Sequence, residues 1–182
     1  ALGAYFLARM YLRGDGVLED KREAFKWFHV SAIAGDADAQ AEVGFMLCEG
    51  VGVLQDEREG IRWLRKAADR GIAQAQFNLA IAYDEGDGVL EDDKEAAKWY
   101  RKAAEQGNAD AQGSLGIAYL QGNGILQDYT EATKWFRKGA EQGNAAAQFM
   151  LGDLYTDGAG VPQPPCFRVR RSQAPRQDLD RE

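Results

Sequence analysis

Trp27, Trp63, Trp99 and Trp135 are the only tryptophans in the chain, and each stands 36 residues from the next without insertion or deletion. In step with them run Gly14, Gly50, Gly86, Gly122 and Gly158, a second series Gly16, Gly52, Gly88, Gly124 and Gly160, and the acids Asp20, Asp56, Asp92 and Asp128. A fixed period of this length marks a repeat architecture, in which each unit is one supersecondary element that buries its apolar face against its neighbours. The core of the 182 residues is therefore distributed along an array.

Each unit reads as two helices. In the second copy the first helix runs from about Ala39 to Glu49, with Val43, Gly44 and Leu47 forming one inward stripe at i, i+3 and i+4 spacing. The middle place of that stripe is always Ala or Gly (Ala8, Gly44, Ala80, Gly116), which lets a neighbouring helix approach closely. The second helix starts at the recurring Asp, whose partner three places on is always Glu: Asp20 with Glu23, Asp56 with Glu59, Asp92 with Glu95, Asp128 with Glu131. That spacing predicts a capping box, which satisfies orphan N–H groups and sets negative charge at the positive end of the helix dipole. The apolar face follows as Ala96, Trp99, Tyr100 and Ala103 in the third copy, and Gly107 supplies a left-handed residue after the helix.

Between the helices lies a turn that reads RGDGVLED in its first occurrence, Arg13 to Asp20. Its Arg-Gly-Asp is a tripeptide used in cell adhesion, but the copies replace Arg13 by Glu49, Glu85 and Gln121, so the stretch is read as a connector. Gly14 ends the first helix, Gly16 permits the bend, Val17 and Leu18 fill the gap between helices, and Asp20 starts the next one. A calcium loop fails: with Gly88 as its central glycine, Tyr83 and Lys94 fall where carboxylates are required. A phosphate-binding loop fails too, since no Gly-Lys-Ser/Thr follows the glycines.

Charge narrows the partners. The chain is −7 overall, and residues 164–182 hold five Arg against three acids, so residues 1–163 carry 17 basic and 26 acidic side chains, a balance of −9. Such a body repels a phosphate backbone, which argues against general nucleic-acid binding. No apolar run reaches the roughly 18 residues needed to cross a bilayer, and the chain opens inside a periodic segment with neither an initiator Met nor a signal peptide. It reads as a soluble fragment or mature domain whose compartment the sequence does not fix.

Ala-x-Ala-Gln at Ala73 to Gln76, Leu-x-x-Ala-Tyr at Leu79 to Tyr83, the Gly-x-Gly-Val turns and Trp-Tyr-Arg-Lys-Ala-Ala-Glu-Gln-Gly at Trp99 to Gly107 resemble the Sel-1-like repeat family over residues 1 to about 163. The resemblance implies an all-α, right-handed α-solenoid of tandem 36-residue helix-turn-helix repeats, with four full repeats plus the first helix and turn of a fifth. It also implies a non-catalytic scaffold or adaptor that binds proteins; the alternative is a targeting or regulatory arm of a larger multidomain protein or enzyme. Some bacterial members carry a regular cysteine pair in each repeat, a pattern that Cys48 and Cys166 do not follow.

In tetratricopeptide-like stacks the first helices line the concave face, and their non-core places meet the partner. By resemblance those places are Tyr5 and Arg9 in the first unit, Phe45 and Glu49 in the second, and Phe77, Ile81, Asp84 and Glu85 in the third. Asp110, Ile117 and Gln121 follow in the fourth, and Phe149 and Asp153 in the fifth. These places vary between copies and combine apolar anchors with carboxylates, which suits a protein or peptide bearing apolar and basic residues. Phe77 reads as an anchor, and Asp84 with Glu85 as steering charges.

No catalytic constellation, metal set or cofactor motif accompanies them. His29, the only histidine, takes the outward place of Arg65, Arg101 and Arg137, and no Ser or Cys has a plausible base. After Gln163 the repeat calls for Asp, and the sequence gives Pro164-Pro165-Cys166 followed by an Arg-rich segment. Residues 164–182 therefore read as a flexible Pro/Arg-rich tail.

Overall fold

The computed structural model describes residues 2–157. Among them nine helices follow one another: α1 Leu2–Arg13, α2 Lys21–Ile33, α3 Ala37–Glu49, α4 Glu57–Asp69, α5 Ala73–Glu85, α6 Asp93–Glu105, α7 Ala109–Gln121, α8 Tyr129–Glu141 and α9 Ala145–Asp157. No strand occurs among the described residues. The expected tail, residues 164–182, and the expected fifth turn lie outside them.

Each helix packs on the next, and α3 also touches α5 as α7 touches α9. The odd-numbered helices thus lie side by side in the tighter, inner layer of an all-α solenoid. Small residues make this closeness possible: a Cβ added at Gly44 would stand 2.7 Å from Leu64, and one at Gly116 would stand 2.6 Å from the Phe136 ring. The core runs on from unit to unit through Phe28, Val43, Leu64, Leu79, Tyr100, Leu115 and Phe136, all buried.

Buried glutamines stitch unit to unit. Gln40, Gln76 and Gln112 each donate from Nε2 to a carbonyl at the end of the preceding even helix, Ala32, Ala68 and Ala104, at 3.0–3.1 Å. Arginines add a second stitch on the outside, Arg101 donating to the Tyr119 hydroxyl at 2.6 Å and Arg137 to that of Tyr155 at 2.9 Å. Trp63 and Trp99 are buried, whereas Trp27 and Trp135 are half-buried. Lys66, Lys102 and Lys138 lie 3.8–4.2 Å over the rings of Trp63, Trp99 and Trp135, a cation–π arrangement that shields the indole from water.

Several local expectations are revised. Helix α3 begins at Ala37, two residues earlier than read, because Asp36 accepts the Ala39 N–H at 3.1 Å and caps it. The recurring Asp residues do cap the even helices, Asp92 accepting from the Lys94 and Glu95 N–H groups. The capping box does not close. The Asp92 N–H instead donates to the Tyr83 carbonyl at 2.8 Å, with the same bond at Asp20, Asp56 and Asp128, and Glu95 pairs with Lys98 at 2.5 Å. The leucines of the turn do not fill the gap: Leu18, Leu54, Leu90 and Leu126 are 87–91% exposed. His29 is half-buried between Phe25 and Trp63, with ring centroids at 5.9 and 5.7 Å.

The Arg-Gly-Asp stretch is a turn. Gly14 and Gly16 have φ of 74° and 75°, and the Gly14 and Asp15 N–H groups both donate to the Met10 carbonyl.

Candidate functional site

The inner face is built from odd helices whose apolar residues exceed what the core can absorb. Where α3 and α5 diverge, a hollow of about 400 Å³ opens over Phe45, Cys48, Ile61, Leu64 and Ile81. Its walls are Glu49 and Glu85 from the helix ends, and Gln55, Glu57 and Asp87 from the turns and the start of α4. A second hollow of about 310 Å³ lies on the other side of Phe45, lined by Tyr5, Asp38, Ala41, Glu42, Ile72, Gln74 and Asn78. Phe45 is the ridge between the two, and the residue is 44% exposed.

The electrostatic character of both hollows registers on their own titratable groups. Burial pushes the Cys48 thiol up to about 11, and Glu49, Glu57 and Asp87 push in the same direction. Burial also raises Tyr5, followed by the carboxylates of Glu42 and Asp38. Glu42 is raised by its own burial while Arg9 draws it down. No basic residue occurs in α3, α5, α7 or α9, nor in the four turns at 14–20, 50–56, 86–92 and 122–128. Every Lys among the described residues is on an even helix. From α3 onward the solenoid is thus acidic on its inner layer and turn edge, whereas α1 carries Arg9 and Arg13, and the lysines lie on the outer layer.

Residues expected to form one surface divide into groups. Phe45, Glu49, Ile81 and Glu85 meet in the larger hollow, and Tyr5 joins Phe45 in the smaller one. Arg9 lies 5.9 Å above the Tyr5 ring. Asp84, Ile117 and Gln121 line a cleft of about 40 Å³ beside Tyr100 and Ser114. Phe77, expected as an anchor, is half-buried against the core with its ring 5.9 Å from that of Tyr100 and lines none of these hollows. Asp84 is a structural acceptor too, since the Tyr100 hydroxyl donates to it at 3.1 Å. Asp110 accepts from Asn144 Nδ2 at 2.7 Å. Phe149 and Asp153 stand exposed on α9 and line none of these hollows.

Gln55, Glu57 and Asp87 escaped the sequence reading because the turns were taken as connectors. A signal existed: the place of Asp87 is held by Asp15, Val51 and Asn123, and that of Glu57 by Lys21, Asp93 and Tyr129. Variation between copies singles out these turn places as it singled out the helix places. Among the described residues no three His, Cys, Asp or Glu side chains converge as a metal site, and no helix is long and apolar enough to cross a membrane.

Comparison with known proteins follows the same 36-residue frame. The Sel1 repeat family model matches residues 1–36, 37–72, 73–108, 109–144 and 145–163. A protective antigen present in uropathogenic Escherichia coli strains is 40% identical with a TM-score of 0.84, over 88% of this chain and 34% of that one. A Sel1 repeat protein from Oxalobacter formigenes is 34% identical with a TM-score of 0.83, over 90% of this chain and 65% of that one. The cysteine-rich protein B of Helicobacter pylori, 22% identical with a TM-score of 0.58 over 71% of this chain and 96% of its own, shares the fold alone. This chain therefore spans about a third of the first structure and somewhat under two-thirds of the second. No curated protein matches it.

Proposed function

The chain belongs to the Sel1 repeat family, whose members are generally protein-interaction scaffolds, and from that premise we propose that its inner face holds a segment of a partner protein bearing apolar and basic residues. The observation that carries this reading is the hollow between α3 and α5. Its floor is apolar, through Phe45, Ile61 and Ile81, and its walls present Glu49, Glu57, Glu85 and Asp87. An apolar side chain entering it exchanges water for Phe45 and Ile81, and a neighbouring Lys or Arg meets carboxylates that have no basic competitor on α3 or α5. The acidic layer also raises the encounter rate with basic segments, an effect that salt screens. Nothing in this arrangement calls for a bond to be made or broken, so the activity proposed is binding without catalysis.

The test is fluorescence anisotropy with a labelled peptide of alternating Lys and Leu and its Glu/Leu counterpart, at two salt concentrations. The Lys/Leu peptide binds, binds less as salt rises, and loses affinity for a Glu49→Lys, Glu85→Lys double variant. Equal binding of both peptides, or indifference to the double variant, would refute the assignment.

A further inference from the structure

The leucines of the turns, Leu18, Leu54, Leu90 and Leu126, are 87–91% exposed, yet the residue is the same in all four copies. Every other recurring place of the turn is used by the fold. The two glycines take positive φ, Val17, Val53, Val89 and Ile125 are half-buried, and Asp20, Asp56, Asp92 and Asp128 cap the even helices. The remaining exposed places vary: Arg13 gives way to Glu49, Glu85 and Gln121, while Glu19 and Glu91 give way to Gln55 and Gln127. Leucine alone is kept while standing in water. Packing does not ask for this, since each such side chain forgoes hydrophobic stabilisation that a partner's surface would return.

The spacing of these leucines follows from helix packing. Helix α3 touches α5 and α7 touches α9, and helices packed side by side lie roughly 8–10 Å apart, so equivalent places of successive units stand about 10 Å apart. Seven residues of an α-helix rise about that distance and return to nearly the same face. An extended strand covers it in about three residues, which point to alternate faces, so a helix matches the row and a strand does not. Between the rungs Leu54 and Leu90 the edge is indented by a hollow of about 460 Å³, lined by Asp56, Glu57 and Arg58 on one side and Val89 and Leu90 on the other. Neither leucine lines the α3–α5 hollow.

Charge selects the occupant. The four turns hold eight acids and no base, and the first three residues of the even helices that follow them add six acids and four bases, a balance of −10 along this edge. That charge opposes a second copy of the same edge and an anionic membrane, and favours a basic partner. The chain's own residues 158–182 do not supply the pattern, since no two of Val161, Phe167, Val169 and Leu179 stand seven places apart. We propose that the leucine row is a second docking surface, distinct from the inner face, for a helix of a partner protein that repeats a large apolar residue every seven places with Lys or Arg between.

The experiment titrates the full chain with a labelled helical peptide of four heptads, each holding one leucine and two lysines, against a peptide of the same composition with irregularly spaced leucines. The heptad peptide is expected to form a one-to-one complex that weakens as salt rises. Leu54→Ser with Leu90→Ser lowers its affinity by about tenfold or more. Because both side chains stand in solvent, this double variant keeps the circular dichroism spectrum and melting temperature of the unaltered chain. Phe45→Ala, at the ridge of the inner hollows, leaves the binding unchanged. Equal binding of the two peptides, or indifference to the leucine variant, overturns the proposal. Evidence for another occupant overturns it too. A second copy is indicated by a self-association that the leucine variant abolishes and the peptide does not displace, and a bilayer by phosphatidylcholine vesicles that bind through Leu54 and Leu90 when the peptide does not. The chain's own residues are indicated by a peptide that binds only after Phe167→Asp.

Discussion

Alanine at the second turn glycine should cost very different amounts in successive units, although the backbone is alike in each. Gly16, Gly52, Gly88 and Gly124 all have φ between 64° and 75°, so each substitution places an L-residue in the left-handed region at roughly 1–2 kcal/mol. The surroundings then diverge. A Cβ at Gly16 meets only the Met10 methyl at 3.8 Å. At Gly88 it stands 2.9 Å from the Glu57 backbone; at Gly52 and Gly124 it falls 2.2 Å from the Lys21 carbonyl oxygen and 2.0 Å from that of Asp93. Those atoms begin the even helix of the preceding unit, so relief requires the units to separate. Gly16→Ala is expected to lose about 1–2 kcal/mol, Gly88→Ala more, and Gly52→Ala and Gly124→Ala upwards of about 4 kcal/mol, the range in which single substitutions are exceptional. Urea unfolding followed by helical circular dichroism measures the series, read as shifts in midpoint at constant slope. Equal losses at Gly16 and Gly124 would show that the turn does not bear on the unit before it.

Trp99→Ala should cost about 3–5 kcal/mol as a buried large-to-small change, and a loss below about 1 kcal/mol in the same assay would contradict the packing of that indole under Lys102. Arg70→Gln should stabilise the chain by about 1 kcal/mol. Gln76 and Gln112 accept from Gln106 and Gln142 at 2.7 Å through Oε1, whereas buried Gln40 Oε1 has no partner because Arg70 holds that place and donates to the Gly35 carbonyl; a lowered urea midpoint would refute this. Cys48 in a Cys166→Ser background should react with iodoacetamide only as pH approaches about 11, above its ordinary value of 9.0. Because the raised value favours the neutral thiol in the folded state, its contribution to stability is present below pH 9.0 and is lost as pH rises toward about 11. A rate that levels off near pH 9 would contradict the burial of that thiol.

The helix pairs, their caps and the positive-φ glycines were legible because they recur, and recurrence within one chain reports what every unit needs. Other features were not. The capping box failed because its signature does not reveal that the Asp92 N–H already donates to Tyr83, nine residues back. Val17 and Leu18 recur equally as apolar residues, yet the turn leaves the first half-buried and the second in solvent, and no periodicity inside a seven-residue loop distinguishes them. Of the places named from the sequence, Phe45, Glu49, Ile81 and Glu85 line one hollow. The sequence reading missed Gln55 and Asp87 in the turns and Glu57 at the start of α4, which line the same hollow. Phe77 and Asp84 vary like contact residues but also pack on and bond to Tyr100, so variability alone does not separate a binding place from a structural one.

The most direct measurement of the binding assignment is a backbone amide NMR titration of the array with the Lys/Leu peptide. The account predicts that shifts concentrate at Phe45, Cys48, Glu49, Ile81 and Glu85, extend to Glu57 and Asp87, and spare the outer surface around Lys66, Lys102 and Lys138. Shifts centred on the even helices, with α3 and α5 unmoved, would contradict it.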